Sequence, residues 1–156
     1  MSTSVAPSLP GRTLTRRTLL LAGGALALCA RPAHAMADEL VVAMRGFTGG
    51  AATREGRVKL DIEPLVENGN AVPITVTVDS PMTAADHVQR IAVFNQKNPQ
   101  HDVIVATLSP ALAQARVATR IRLATTQQLV AVARLSDGSY WTHTVDVIVT
   151  LAACLE

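Results

Sequence analysis

The chain has 156 residues, of which 49% are hydrophobic, with 14 basic and 12 acidic side chains. Four of the arginines and no acid precede residue 36, so the remainder has 14 − 4 = 10 basic residues and a net charge of 10 − 12 = −2. This balance excludes a strongly basic surface, and with it the usual argument for a nucleic-acid partner.

The first 35 residues have the pattern of a secretory signal. A charged start with Arg12, Arg16 and Arg17 precedes the apolar run TLLLAGGALALCA and a small-x-small cleavage pattern at residues 33–35. The paired Arg16 and Arg17 predict export to the periplasm by the twin-arginine route. The apolar run is shorter than the ~20 residues that span a bilayer, which disfavours an uncleaved anchor. We expect no membrane attachment once residues 1–35 are removed.

Residues 36–150 have the length of a single domain. The domain begins with DELVVAMRGFTGG, in which Leu40, Val41, Met44 and Phe47 fall near helical spacing and two glycines follow. Such a pattern predicts a short N-terminal helix that ends at Gly49-Gly50.

From Gly56 onwards apolar and polar residues alternate with the period of a β-strand. In VPITVTV, for example, Val72, Ile74, Val76 and Val78 are expected to face a core. Seven β-rich runs, most with one apolar face, are separated by turn sequences such as ENGN and SDGS. The pattern predicts an all-β fold, an immunoglobulin-like antiparallel β-sandwich behind the short helix.

Motifs of common catalytic and metal sites are absent, including the Gly-rich phosphate loop, Cys-x-x-Cys and His-Glu-x-x-His. Three histidines each lie near an aspartate on separate runs, which is typical of solvated surface pairs: His87, His101 and His143 near Asp86, Asp102 and Asp146. His143 is also expected at the edge of the core. Cys154, a histidine and Met44 or Met82 would be soft ligands for copper, but no spacing supports that site. We expect no catalytic residue, no metal and no cofactor.

Three arginines alternate with other residues in ARVATRIRL and should share one face of a strand: Arg116, Arg120 and Arg122. They form either an ordinary charged outer face or a cationic patch. Such a patch would guide an anionic small molecule or an acidic partner surface.

Cys154 is the only cysteine left once Cys29 departs with the signal. An odd cysteine in an exported protein is either half of an intermolecular bridge or a free reactive thiol. Residues 151–156 are predicted to form a flexible arm in which Cys154 is flanked by Ala152, Ala153, Leu155 and Glu156. Two hypotheses remain open: a carrier whose thiol holds cargo for enzymes, and an interaction module that uses Cys154 for an intermolecular disulfide.

Several segments resemble the SoxY family, the sulfur-carrier subunit of the periplasmic thiosulfate-oxidising system: PLVENGNAVPITVTVDSPM, IAVFNQKNP, ATRIRLA, VAVARLSDGSYW and DVIVTLAAC. The resemblance implies an immunoglobulin-like sandwich, a heterodimer with a SoxZ-like subunit, and sulfur intermediates bound covalently on Cys154. It implies a carrier that presents cargo to the enzymes that load and unload it, not an enzyme. The family usually ends in Gly-Gly-Cys-Gly-Gly, whereas this chain ends in AACLE, so it resembles a paralogous branch with a stiffer arm.

Overall fold

The computed structural model describes residues 35–153, with side chains from residue 39 onwards. The predicted signal, apart from Ala35, and residues 154–156 lie outside the described residues. Within that range the chain forms helix α1 (Ala35–Thr48) and nine strands: β1 (Thr53–Glu55), β2 (Val58–Asp61), β3 (Leu65–Val66), β4 (Val72–Val78), β5 (Val88–Asn95), β6 (Asp102–Thr107), β7 (Ala115–Ile121), β8 (Gln127–Leu135) and β9 (Tyr140–Val149).

The strands form two sheets that face each other. The larger has six strands in the order β1-β9-β8-β5-β6, with β3 also paired to β9, and the smaller has the order β2-β4-β7. Every pairing between strands of four or more residues is antiparallel, as predicted for the sandwich. The short strands β1 and β3 pair parallel with β9, at its opposite ends. These parallel pairs were not predicted, because two or three residues are too few to show a period.

The core between the sheets consists mainly of aliphatic side chains. In β4 the predicted inward residues Val72, Ile74, Val76 and Val78 are all buried, and Pro73 and Thr77 between them are exposed. They pack with residues of the facing sheet such as Ile91, which confirms the period-two prediction for this strand.

Strands β5 and β8 are buried on both faces, unlike the one-sided strands that the sequence pattern suggested. In β5, Ile91 and Val93 enter the core between the sheets, whereas Ala92 and Phe94 belong to a second cluster under the helix. The continuous apolar runs IAVF and LVAVA are typical of strands with both faces covered. The larger sheet is therefore the middle layer of the molecule.

Helix α1 packs on the outer face of that middle layer. The Phe47 ring meets the rings of Phe94 and Tyr140 edge to face, with centroid distances of 6.0 and 6.1 Å. Leu40 is buried as predicted, but Val41 is 45% exposed, because a residue one position further along a helix turns away from the contact. The helix ends where predicted, with Gly49 at a positive φ of 65°. No helix of the described residues is long and apolar enough to cross a membrane.

We predict that replacing Phe47 by Ala removes the main attachment of the helix. Truncation of a buried aromatic residue costs ~3–5 kcal/mol, and because Phe47 is only partly buried we expect about 2–3 kcal/mol. Urea unfolding of residues 36–156 measures the change. Val42→Ala, on the exposed side of the same helix, is the matched control and should change the free energy of unfolding by less than ~0.5 kcal/mol. Equal effects of the two substitutions would contradict the packing.

Candidate functional site

Strand β9 leads the chain toward the predicted cysteine arm. It pairs with β8 along most of its length, and at its end β3 joins it in parallel, with Leu65 beside Ile148 and Val66 beside Val149. Two backbone hydrogen bonds extend this pairing, from the Ile148 N–H to the Pro64 carbonyl at 2.8 Å and from the Thr150 N–H to the Val66 carbonyl at 3.0 Å. The end of β9 is therefore held from both sides.

Beyond β9 the chain remains hydrogen-bonded to the body. The Gly69 N–H donates to the Leu151 carbonyl at 2.8 Å, and the Ala153 N–H donates to the Leu123 carbonyl at 3.0 Å. A third bond, from the Leu123 N–H to the Gly69 carbonyl at 2.8 Å, joins the two contacts. We call these four residues, Gly69, Leu123, Leu151 and Ala153, the root clamp. Leu123 is fully buried and Ala153 is only 9% exposed, so water competes weakly for the bonds that Leu123 makes.

Gly69 is the residue that makes this close approach possible. A Cβ atom at this position would lie 2.4 Å from the Leu123 carbonyl oxygen, 3.0 Å from the Ala153 nitrogen and 3.2 Å from Cγ1 of Val149. The first distance is far shorter than any real contact of a methyl group, so any side chain here would displace the backbone. The neighbouring Asn68 keeps the turn closed by accepting the Asn70 N–H at 2.9 Å through its Oδ1 atom.

The clamp bears on how far the cysteine can reach. Cys154 itself lies outside the described residues, but it is bonded to Ala153, and consecutive Cα atoms are ~3.8 Å apart. Within the predicted arm of residues 151–156, the backbone of Leu151 and that of Ala153 are therefore hydrogen-bonded to the body, while Ala152 is exposed. The arm beyond Ala153, including Leu155 and Glu156, stays a prediction.

The three histidines have partners other than the aspartates next to them in sequence. His143 lies in β9 and its Nδ1 atom accepts the Leu60 N–H at 3.1 Å, so it is the core-edge residue that was expected. His101 contacts the Asn95 carbonyl at 2.9 Å and Glu39 of the helix at 3.2 Å. His87 contacts the Thr83 carbonyl at 3.1 Å. Among the described residues neither His87 nor His101 contacts the aspartate beside it, so the pairing in that interpretation is wrong, and each of the two has other contacts.

The described residues contain no group of three histidine, cysteine, aspartate or glutamate side chains that could hold a metal ion. Met44 lies on helix α1 and packs against the second cluster, on the outer face of the larger sheet. Met82 is buried in the core between the sheets, where its sulfur accepts the Val88 N–H at 3.5 Å. The two methionines considered as copper ligands thus lie on opposite faces of the larger sheet.

The arginines singled out in the sequence lie on or next to β7. Arg116 and Arg120 are exposed on its outer face, opposite Thr77 and Pro73 of β4, and Arg122 follows one residue after the strand ends. Among the side chains of residues 39–153, no carboxylate lies within 4 Å of these three guanidinium groups. Arg122 directly precedes Leu123 of the root clamp, so the last of the three arginines lies next to the clamp along the chain.

Comparison with known proteins assigns residues 44–154 to the family described as sulfur oxidation protein SoxY, and the match ends on Cys154. The chain belongs to the SoxY family. The structure of the sulfur carrier protein SoxY from Chlorobium limicola f thiosulfatophilum is 26% identical in sequence, with a TM-score of 0.62. Their alignment covers 74% of this chain and 99% of the Chlorobium protein. The resemblance seen in the sequence segments is confirmed.

Two superoxide reductases share the fold alone. The enzyme from Ignicoccus hospitalis is 16% identical with a TM-score of 0.52, over 60% of this chain and 80% of its own. That from Nanoarchaeum equitans is 12% identical with a TM-score of 0.52, over 62% of this chain and 100% of its own. No curated protein sequence is significantly similar to this chain.

We predict that Gly69→Ala opens the root clamp. Forcing a methyl group into a filled site costs about 1–3 kcal/mol, and the strain should appear where the Cβ would clash. Hydrogen exchange on residues 36–156 should show faster exchange at the Ala153 and Leu123 amides, with little change in the centre of β8. Gly46→Ala is the matched control, because a Cβ at Gly46 meets no atom within 4 Å and alanine favours a helix. Unchanged protection of the Ala153 amide in the Gly69 variant would refute the clamp.

Proposed function

We propose that this SoxY-family protein is a periplasmic sulfur carrier whose Cys154 holds a sulfur-containing group covalently while partner enzymes act on it. The observation that carries the proposal is the family match, which runs through the sandwich and includes Cys154. Cys154 is also the only cysteine in residues 36–156, so no second thiol of the chain competes for the cargo.

The chemistry required of Cys154 is that of a sulfur nucleophile. Joining its thiolate to a reduced inorganic sulfur compound such as thiosulfate forms a sulfur–sulfur bond and removes two electrons, which pass to an oxidant of the loading enzyme. Unloading is a different reaction and not the reverse of this step: water attacks the outer sulfonate sulfur, the bond between that sulfur and the inner one breaks, sulfate leaves, and a persulfide remains on Cys154 without any further oxidant. On this proposal the protein is a carrier subunit and needs no cofactor beyond the covalent adduct.

We propose that the protein works in the periplasm and reaches it by the twin-arginine route that Arg16 and Arg17 predict. The family resemblance supports a SoxZ-like subunit as a stable partner, beside the enzymes that load and unload the arm. The AACLE ending sets the chain apart from glycine-armed carriers: alanine lacks the positive-φ freedom of glycine, so we propose a stiffer arm.

The carrier role predicts sulfur-sized mass additions on Cys154 in protein purified from cells growing on thiosulfate. Intact-mass analysis without reductant should show them on the wild-type chain, and reductant should remove them. Cys154→Ser is the matched control, since it keeps the size and polarity of the side chain without the thiol and should carry none. The alternative, an interaction module, predicts instead a permanent stoichiometric disulfide dimer on non-reducing electrophoresis. Unmodified thiol throughout growth would refute the carrier role.

We further propose that Arg116, Arg120 and Arg122 form an electrostatic patch that steers an acidic partner or an anionic cargo toward the arm. The triple Gln variant should slow carrier-dependent thiosulfate oxidation about 10-fold at low ionic strength, with the difference largely lost at high salt because counterions screen exposed charges. Arg45→Gln with Arg54→Gln removes two exposed cations elsewhere, on the helix and on β1, and is the control. A salt-independent loss, or none, would leave the three arginines as an ordinary charged face.

A further inference from the structure

Three large apolar side chains are exposed at or near the root clamp, and one of them belongs to Leu151 of the clamp itself. Leu65 is 54% exposed, Ile148 is 55% and Leu151 is 60%. Leu65 and Ile148 are register neighbours in the parallel pair of β3 and β9, and Leu151 supplies the carbonyl that Gly69 binds. We call Leu65, Ile148 and Leu151 the root patch.

The fold accounts for the position of these side chains but not for their apolar character. Val66 and Val147 turn inward and are buried, so Leu65 and Ile148, each next to one of them along a strand, must turn outward. Polar residues would serve the fold equally well at such positions. A single exposed leucine is ordinary, but adjacent apolar residues at one place on a surface are typical of a binding site.

The root clamp limits how far the chain near Cys154 can move from the body, and this limit indicates which kind of partner contacts the root patch. While Leu151 and Ala153 are bonded to the body, the backbone is held there up to Ala153, and Cys154 is the next residue along the chain. A glycine-rich tether of several residues would let the cysteine enter a distant active site, whereas here an enzyme must bring its active-site entrance to the body. The rim of that entrance then covers the surface around Ala153, which includes the root patch.

We propose that the root patch is the docking surface for the enzymes that load and unload Cys154, an inference that rests on the carrier function proposed above. The partner that fits is a protein whose active-site entrance has an apolar rim. Three side chains make a small contact, well below the ~1,200 Å² of a stable interface, which suits an enzyme that must release the carrier after each reaction. A permanent subunit would need a larger surface.

The first test compares exposed apolar residues at the root with exposed apolar residues elsewhere. In a strain in which the variant replaces the native chain, Ile148→Thr with Leu151→Gln should lower thiosulfate oxidation at least 10-fold, with recovery when the carrier is overproduced. Val42→Gln with Val105→Thr, on the helix and on β6, should leave the rate unchanged. Equal melting temperatures of the two double variants exclude a folding defect. An unchanged rate in the root-patch variant overturns the proposal.

The same strain separates this proposal from the carrier function. If Cys154→Ser abolishes thiosulfate oxidation and the root-patch variant does not, only the docking surface is wrong. If Cys154→Ser has no effect and wild-type protein carries no sulfur adduct, the carrier function itself fails.

The second test identifies what covers the patch. A benzophenone amino acid at position 148, irradiated in cells growing on thiosulfate, should crosslink to an enzyme that mass spectrometry and its own thiosulfate-oxidation assay identify, and the same probe at position 105 should not. A main product with a small β subunit or with a second copy of this chain would overturn the proposal, as would no crosslink.

Discussion

The contact on which this end of the molecule depends is the approach of Gly69 to Leu123. Gly69 lies in the connection that leaves β3 of the larger sheet for β4 of the smaller one, and Leu123 lies in the connection that returns from β7 to β8. One hydrogen bond between them therefore joins two of the six connections that cross between the sheets, and the Leu123 carbonyl accepts the Ala153 N–H. Ala153, the last described residue, is therefore attached where two of these connections meet.

The layered body makes that attachment point stable. Strands β5 and β8 are covered by the smaller sheet on one face and by helix α1 on the other, and β9 pairs with β8 over eight residue pairs. Because β9 continues directly into the clamp, the clamp starts from a strand that the core holds in place. Ala153, the residue before the cysteine, therefore has a defined position on the body.

The sequence allowed most of the body to be predicted but not the clamp. Alternation in VPITVTV identified the inward residues of β4, and the apolar spacing and two glycines located the end of the helix, because both signals are local. The helix begins at Ala35, before the segment that the sequence indicated. ENGN was recognised as a turn, yet nothing local shows that Gly69 touches Leu123 and Ala153, which are distant along the chain. The histidine contacts could not be predicted for the same reason, since Leu60 and Glu39 come close to His143 and His101 only in the folded chain.

The structure gives a physical reason for the alanine at position 153 of the AACLE ending. The Ala153 methyl is part of a nearly buried residue whose N–H is bonded to Leu123, and glycine there would lose that packing and gain backbone freedom in the unclamped state. Alanine thus favours the attached end over the mobile one. Because Ala153 is attached to the body in this way, we propose that the choice of partner depends on the surface around the root clamp more than on the length of an arm.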